Sequence, residues 1–199
     1  KYNNDKNYGD NKGDFLEEQL YRKITEKFNS VKVLKNPHHR YTIGEFEELC
    51  DVLIVYDNNL ILFEAKAKRF NLKIKKISKN KIIDNIKDIL VMSYQQLEKS
   101  EKIIKNNDRL ILYDKKTKNE VLNISLEKYP NIFLVNITLD NLGSIGTIVK
   151  ILGNMNYKIK KNFFSFNLSD LKIILEHIEF PSQFVHYLMS LNKIYENKV

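Results

Sequence analysis

Apolar residues recur at helical spacing through Phe15, Leu16, Leu20, Ile24 and Phe28, which predicts an amphipathic helix over 14–29 with Asp14 as its N-cap. The preceding KYNNDKNYGDNK has no periodicity and reads as a flexible lead-in over 1–12. Residues 31–34 are short and β-branched, a candidate strand, after which Pro37, His38, His39 and Gly44 mark irregular chain. Two runs, LCDVLIVY at 49–56 and LILFEAKA at 60–67, are apolar on both faces and separated by Asp57-Asn58-Asn59. They predict a hairpin of central strands covered on each side. A second helical pattern covers about 81–105, with Ile82, Ile86, Ile89, Leu90, Leu97 and Ile104 as its stripe. Strands at 109–113 and 132–137 flank a polar turn at 115–120. Two helices close the chain: one starts at Ser169 or Asp170 and carries Leu171, Ile174, Leu175 and Ile178, and the other follows Pro181. This order predicts a mixed α/β fold, a central sheet flanked by helices, with extra C-terminal helices.

Composition narrows the setting. The 199 residues are 43% hydrophobic, enough for a sizeable core in a single domain over 13–199, with its core at about 13–140 and an α-rich part at about 141–199. One cysteine, Cys50, excludes a disulfide scaffold and a cysteine-built zinc site, and fits a reducing compartment. No apolar run approaches a membrane span and no secretion signal is visible, so a soluble cytoplasmic protein is expected. The chain starts at Lys1 and not at Met, so a larger multi-domain parent is one expectation for its assembly and a homodimer another. No glycine-rich phosphate loop occurs, and ATP hydrolysis is not expected.

The 33 Lys and Arg against 25 Asp and Glu give a formal charge of +8, which suits a polyanionic partner. Bulk charge decides little here, because a Lys-, Asn- and Ile-rich composition is what an AT-rich genome imposes on any protein. Its distribution says more. No acid occurs between Glu64 and Asp84, while Lys68, Arg69, Lys73, Lys75 and Lys76 crowd the interval. With Arg40 these are candidate nucleic-acid contacts, the alternative being a solvated loop. The stretch YKIKKNFFSF at 157–166 interleaves lysines with aromatics that either stack on bases or belong to the core.

Three charges fall where the hydrophobic pattern forbids them. Asp51 interrupts one apolar strand, and Glu64 and Lys66 interrupt the next. Burying an ionised carboxylate costs several kcal/mol unless it is paired or binds a metal. Glu64 and Lys66 are two apart and share a face of their strand. A two-residue turn at Asp57-Asn58 sets Asp51 opposite Glu64, and one at Asn58-Asn59 sets it opposite Lys66. Either register puts all three charges on one side of the sheet, whereas a three-residue loop would break the arrangement. Two hard oxygen ligands this close suit Mg²⁺ or Mn²⁺. The bland alternative is a salt bridge capping the sheet.

Asp51, twelve residues, then Glu64-Ala65-Lys66 resembles the motif of the PD-(D/E)XK nuclease superfamily, whose restriction-endonuclease-like fold carries it on a hairpin behind an N-terminal helix. The resemblance covers about residues 13–113, with Cys50 standing where the family often has proline. It implies a metal-dependent nuclease, DNA preferred, as an endonuclease of restriction or phage defence. It implies Asp51, Glu64 and the carbonyl of Ala65 as ligands of Mg (or Mn), and Lys66 as the residue that orients the attacking water. Gly13-Asp14-Phe15-Leu16-Glu17 matches the family's helix motif, which gives Glu17 an assisting role ahead of Glu18. Gln96, preferred to Gln95, matches the glutamine that many members place on the next helix. A catalytically inactive module of the same fold, binding nucleic acid or a partner protein, is the alternative.

Overall fold

The first helix, α1 (Asn4–Lys27), starts well before the apolar stripe that reveals it. Asp14 therefore lies inside the helix, not at its N-cap, and most of the expected flexible lead-in is helical. Gly9, Gly13 and the asparagines have low helix propensity, but extending a nucleated helix costs far less than starting one. The computed structural model describes residues 4–67, 79–139 and 159–196, with side chains over 12–67, 89–139 and 159–193.

After α1 come β1 (Lys32–Lys35), β2 (His38–Thr42), β3 (Glu45–Glu48), β4 (Val52–Tyr56) and β5 (Asn59–Lys66). Helix α2 (Lys79–Asn106) precedes β6 (Leu110–Tyr113), β7 (Glu120–Ile124), β8 (Asn131–Thr138) and β9 (Phe163–Asn167). Helices α3 (Leu168–His177) and α4 (Pro181–Glu196) end the described chain. The central sheet has the order β1-β4-β5-β8-β9, antiparallel through β5 and parallel from β5 to β9. A second, antiparallel sheet runs β3-β2-β6-β7. The fold is thus a mixed α/β architecture with a central mixed sheet flanked by helices, as the hydrophobic pattern predicts.

Every residue of β5 except Lys66 is buried, because both faces are covered. On one face Leu16, Leu20 and Ile24 of α1, with Phe28 just past its end, pack on Ile54, Phe63, Val135 and Phe164. Phe184 of α4 closes this layer, its ring 6.1 Å from Phe28 and 6.4 Å from Phe63. On the other face Leu97 and Ile104 of α2, with Leu112 and Ile124 of the second sheet, cover Leu53, Leu62 and Leu134.

Four strands escape the sequence pattern. The segment read as irregular at Pro37–Gly44 forms β2 and half of a hairpin, and β7 follows the turn at 115–120. Lone prolines, adjacent histidines and the charged EFEE of β3 hide strands whose pairing is set by neighbours, not by local preference. The part beyond residue 141 is not purely helical either, since β9 completes the sheet. Among the described residues no helix is long and apolar enough to cross a membrane.

Candidate active site

The β4–β5 hairpin takes the first of the two registers. Val52 pairs with Phe63 and Tyr56 with Asn59, which leaves Asp57-Asn58 as the turn and brings Asp51 opposite Glu64. Asp57 adopts a left-handed φ of 52°, which an aspartate tolerates in such a turn. The ladder continues through Asp51: its N–H donates to the Phe63 carbonyl at 3.1 Å, and its Oδ2 accepts from the Ala65 N–H at 2.6 Å. Lys66 Nζ donates to Glu64 Oε1 at 2.6 Å. Alternation turns Glu64 and Lys66 to the face of Leu60 and Leu62, which is the face covered by α2.

Asp51 and Glu64 are each only 6% exposed. Burial, then the facing charge of Glu64, pushes the Asp51 carboxyl up to about 9 from 3.8, and the Ala65 N–H offsets only part of this. Burial raises Glu64 as well, in spite of Lys66. Without a cation the pair resists holding two negative charges. Glu17 and Glu48 push both acids in the same direction.

The two acids open into a cavity of about 210 Å³ whose wall includes Glu48, Cys50, Gln96 and Lys99. Gln96 comes from α2, on the helix face shared with Ser93 and Ser100. Ser93 Oγ lies 2.8 Å from both the Ile89 carbonyl and Asn136 Oδ1, and Asn136 Nδ2 donates to Ser165 Oγ at 2.9 Å. Asn136 is the β8 residue paired with Glu64. Ser100 Oγ donates to the Leu49 carbonyl, two residues before Asp51. The helix is therefore fastened to the sheet on either side of Gln96. Cys50 is 2% exposed, its thiol directed at the Val52 carbonyl at 3.4 Å, and burial holds its pKa well above the ordinary value.

Glu17 lies on α1, against the far face of the sheet, and lines a different cavity from Asp51 and Glu64, beside Lys35 and Asn36. Its Oε2 accepts from Asn36 Nδ2 at 3.2 Å, whereas Glu18 is exposed and pairs with Lys35 at 2.5 Å. Asn36 and Glu48 are the neighbours that pattern reading missed. The Asn36-Pro37 dipeptide is a turn signal, and Glu48 stands three residues before Asp51, but neither signal says what the side chain meets. Among the described residues no three His, Cys, Asp or Glu side chains form a ready-made metal cage.

Arg40 is exposed on β2, with its guanidinium 5.7 Å from the Phe46 ring and 5.6 Å from the Tyr113 ring. Lys68, Arg69, Lys73, Lys75 and Lys76 lie outside the described residues. His38 and His39, read from the sequence as irregular chain, are buried in β2, because that strand is sandwiched between β3 and β6. Phe163, Phe164 and Phe166 are buried in β9, so they are core and not a stacking surface.

No protein-family model matches the chain, and no curated protein is similar to it in sequence. Among solved structures it is similar to the small subunit of a heterodimeric restriction endonuclease. The likeness covers 89% of this chain and 78% of that one, at 12% identity and a TM-score of 0.47. At that distance any functional reading rests on this chain's own side chains.

Proposed function

We propose that this protein is a metal-dependent nuclease that hydrolyses phosphodiester bonds, DNA preferred, in restriction or defence against foreign DNA. The observation that carries the reading is the buried pair Asp51 and Glu64, facing each other across one hairpin with Lys66 bonded to Glu64. A purely structural role is a poor account of it, since buried ion pairs rarely stabilise more than apolar replacements would.

The donor set fits Mg²⁺ or Mn²⁺: hard oxygens, converging, and holding a proton that a cation would displace. Asp51, Glu64 and the Ala65 carbonyl would hold the ion, with Glu17 assisting. Bound there, the ion supplies an acidified water and offsets charge on the attacked phosphate. Lys66 orients the water, and Gln96 supports the site from across the cavity. Arg40 and the basic stretch from Lys68 to Lys76 hold the phosphate backbone. Cutting both strands of a duplex favours a second site, from another copy or from a further domain of a larger parent.

The second reading is a catalytically inactive module that binds nucleic acid or a protein. What favours it is the close Lys66–Glu64 pair together with the lack, among the described residues, of a three-ligand cage. One experiment separates the two: plasmid, linear and single-stranded DNA, and RNA, incubated with Mg²⁺, Mn²⁺ or EDTA, with Glu64→Ala alongside. The nuclease reading expects metal-dependent cutting that Glu64→Ala lowers by more than 100-fold, consistent with roughly 3 kcal/mol or more of lost transition-state stabilisation. A salt-sensitive gel shift without cutting, unchanged in the variant, favours the binding module.

A further inference from the structure

Asn36 stands where the three segments that build the carboxylate site meet. It is 7% exposed and holds a left-handed φ of 45° immediately before Pro37. Its N–H donates to the Asp51 carbonyl at 2.8 Å, its Nδ2 donates to Glu17 Oε2 at 3.2 Å, and its carbonyl lies 2.8 Å from His38 Nδ1. One residue thus spends all three of these polar groups on α1, on the start of the catalytic hairpin and on the second sheet.

The left-handed conformation costs most L residues about 1 kcal/mol or more, and asparagine is among the few that visit it readily. A preceding-proline position restricts the backbone further. The gain is geometric. Glu17 belongs to the helix on the face opposite Glu64, and Asn36, just past the edge strand β1, bonds Glu17 on one side and the main chain of Asp51 on the other. The partner's chemistry matters as well. Glu18 is paired with the charged Lys35, whereas the partner of Glu17 is a neutral amide.

We infer that Asn36 is a positioning residue for metal binding at Asp51 and Glu64, acting by fixing the Glu17 carboxylate against the main chain of Asp51. This deepens the nuclease reading and rests on it. The test uses Asn36→Gly, which keeps the left-handed backbone and removes only the amide, in the wild-type and Glu17→Gln backgrounds. Three quantities are read: Mn²⁺ affinity by calorimetry, melting temperature in EDTA, and kcat and KM for DNA cleavage.

The expected result is a nearly unchanged melting temperature, a loss of roughly 10-fold or more in Mn²⁺ affinity and kcat, and an unchanged KM. In the Glu17→Gln background Asn36→Gly should cost nothing further, because the residue it acts through is already gone. A lower melting temperature with wild-type Mn²⁺ affinity would make Asn36 purely structural, and additive losses would show that it does not act through Glu17. If Asn36→Gly does not fold, Glu17→Gln alone carries the test, and unaltered Mn²⁺ affinity there overturns the proposal. A protein with Asn36-dependent Mn²⁺ affinity that cuts nothing would sustain this role and sink the nuclease reading; a cutting protein indifferent to Asn36→Gly would do the reverse.

Discussion

Asp51 carries a proton that its surroundings, not its chemistry, impose. Its folded pKa of about 9 lies above the 3.8 of an ordinary aspartate, so between those values the folded state binds more protons than the unfolded one. The associated stability is fully present below about pH 4 and is lost as pH rises through 9. Asp51→Asn keeps an oxygen to accept the Ala65 N–H and removes the titration. The variant should therefore melt higher than wild type in EDTA at pH 8, by at least about 2–4 °C, with the gap closing towards pH 4. Thermal denaturation across that range is the check, and equal melting temperatures at pH 8 would refute the imposed proton. At this scale the sequence is most legible where a charge breaks an apolar run, as Asp51, Glu64 and Lys66 do. Asn36 and Glu48 are not legible, because a left-handed turn and a cavity wall exist only once distant segments meet.

Among elements, the β4–β5 hairpin shows what local pattern can and cannot decide. Its strands follow from composition, while the choice between two registers rests on which pair of polar residues turns; Asp57 in the left-handed region settles it. Strands β2, β3 and β7 were invisible for the converse reason, since their residues are strand-like only by virtue of the neighbours they pair with. Helix α2 is seated by polar links as well as by its apolar stripe, and these no stripe reveals. Asn136 is fully buried and joins Ser93 of α2 to Ser165 of β9, beside Glu64. Asn136→Ala leaves Ser165 Oγ without that donor and opens a void in the layer, so it should destabilise the protein by about 1–3 kcal/mol. Urea denaturation followed by circular dichroism measures this, and a shift below a few tenths of a kcal/mol would mean the chain of hydroxyls and amide contributes little.

For the whole molecule, α1 and α4 cover one face of the central sheet and α2 with the second sheet covers the other. The C-terminal helices, which carry no recognisable motif, are part of this core through Phe184, which reaches both Phe28, just past α1, and Phe63 of β5. That the sheet is central and mixed was foreseeable from its doubly apolar strands; that a second sheet flanks the carboxylates was not, since it is assembled from segments as far apart as β2 and β7.

The single cysteine gives this architecture a built-in reporter. Cys50 adjoins Asp51, is shielded from solvent, and is held in its unreactive thiol form by burial and by the neighbouring acids. Cys50 lines the cavity beside α2 and is 2% exposed, so an alkylating reagent reaches it as the hairpin and α2 part, and the labelling rate follows those openings with no background from other thiols. Mn²⁺ should slow labelling of the wild-type protein and leave Asp51→Asn unaffected; identical slowing in both would place the cation elsewhere. The site could then be watched breathing in a test tube without substrate, nucleic acid or any assumption about catalysis.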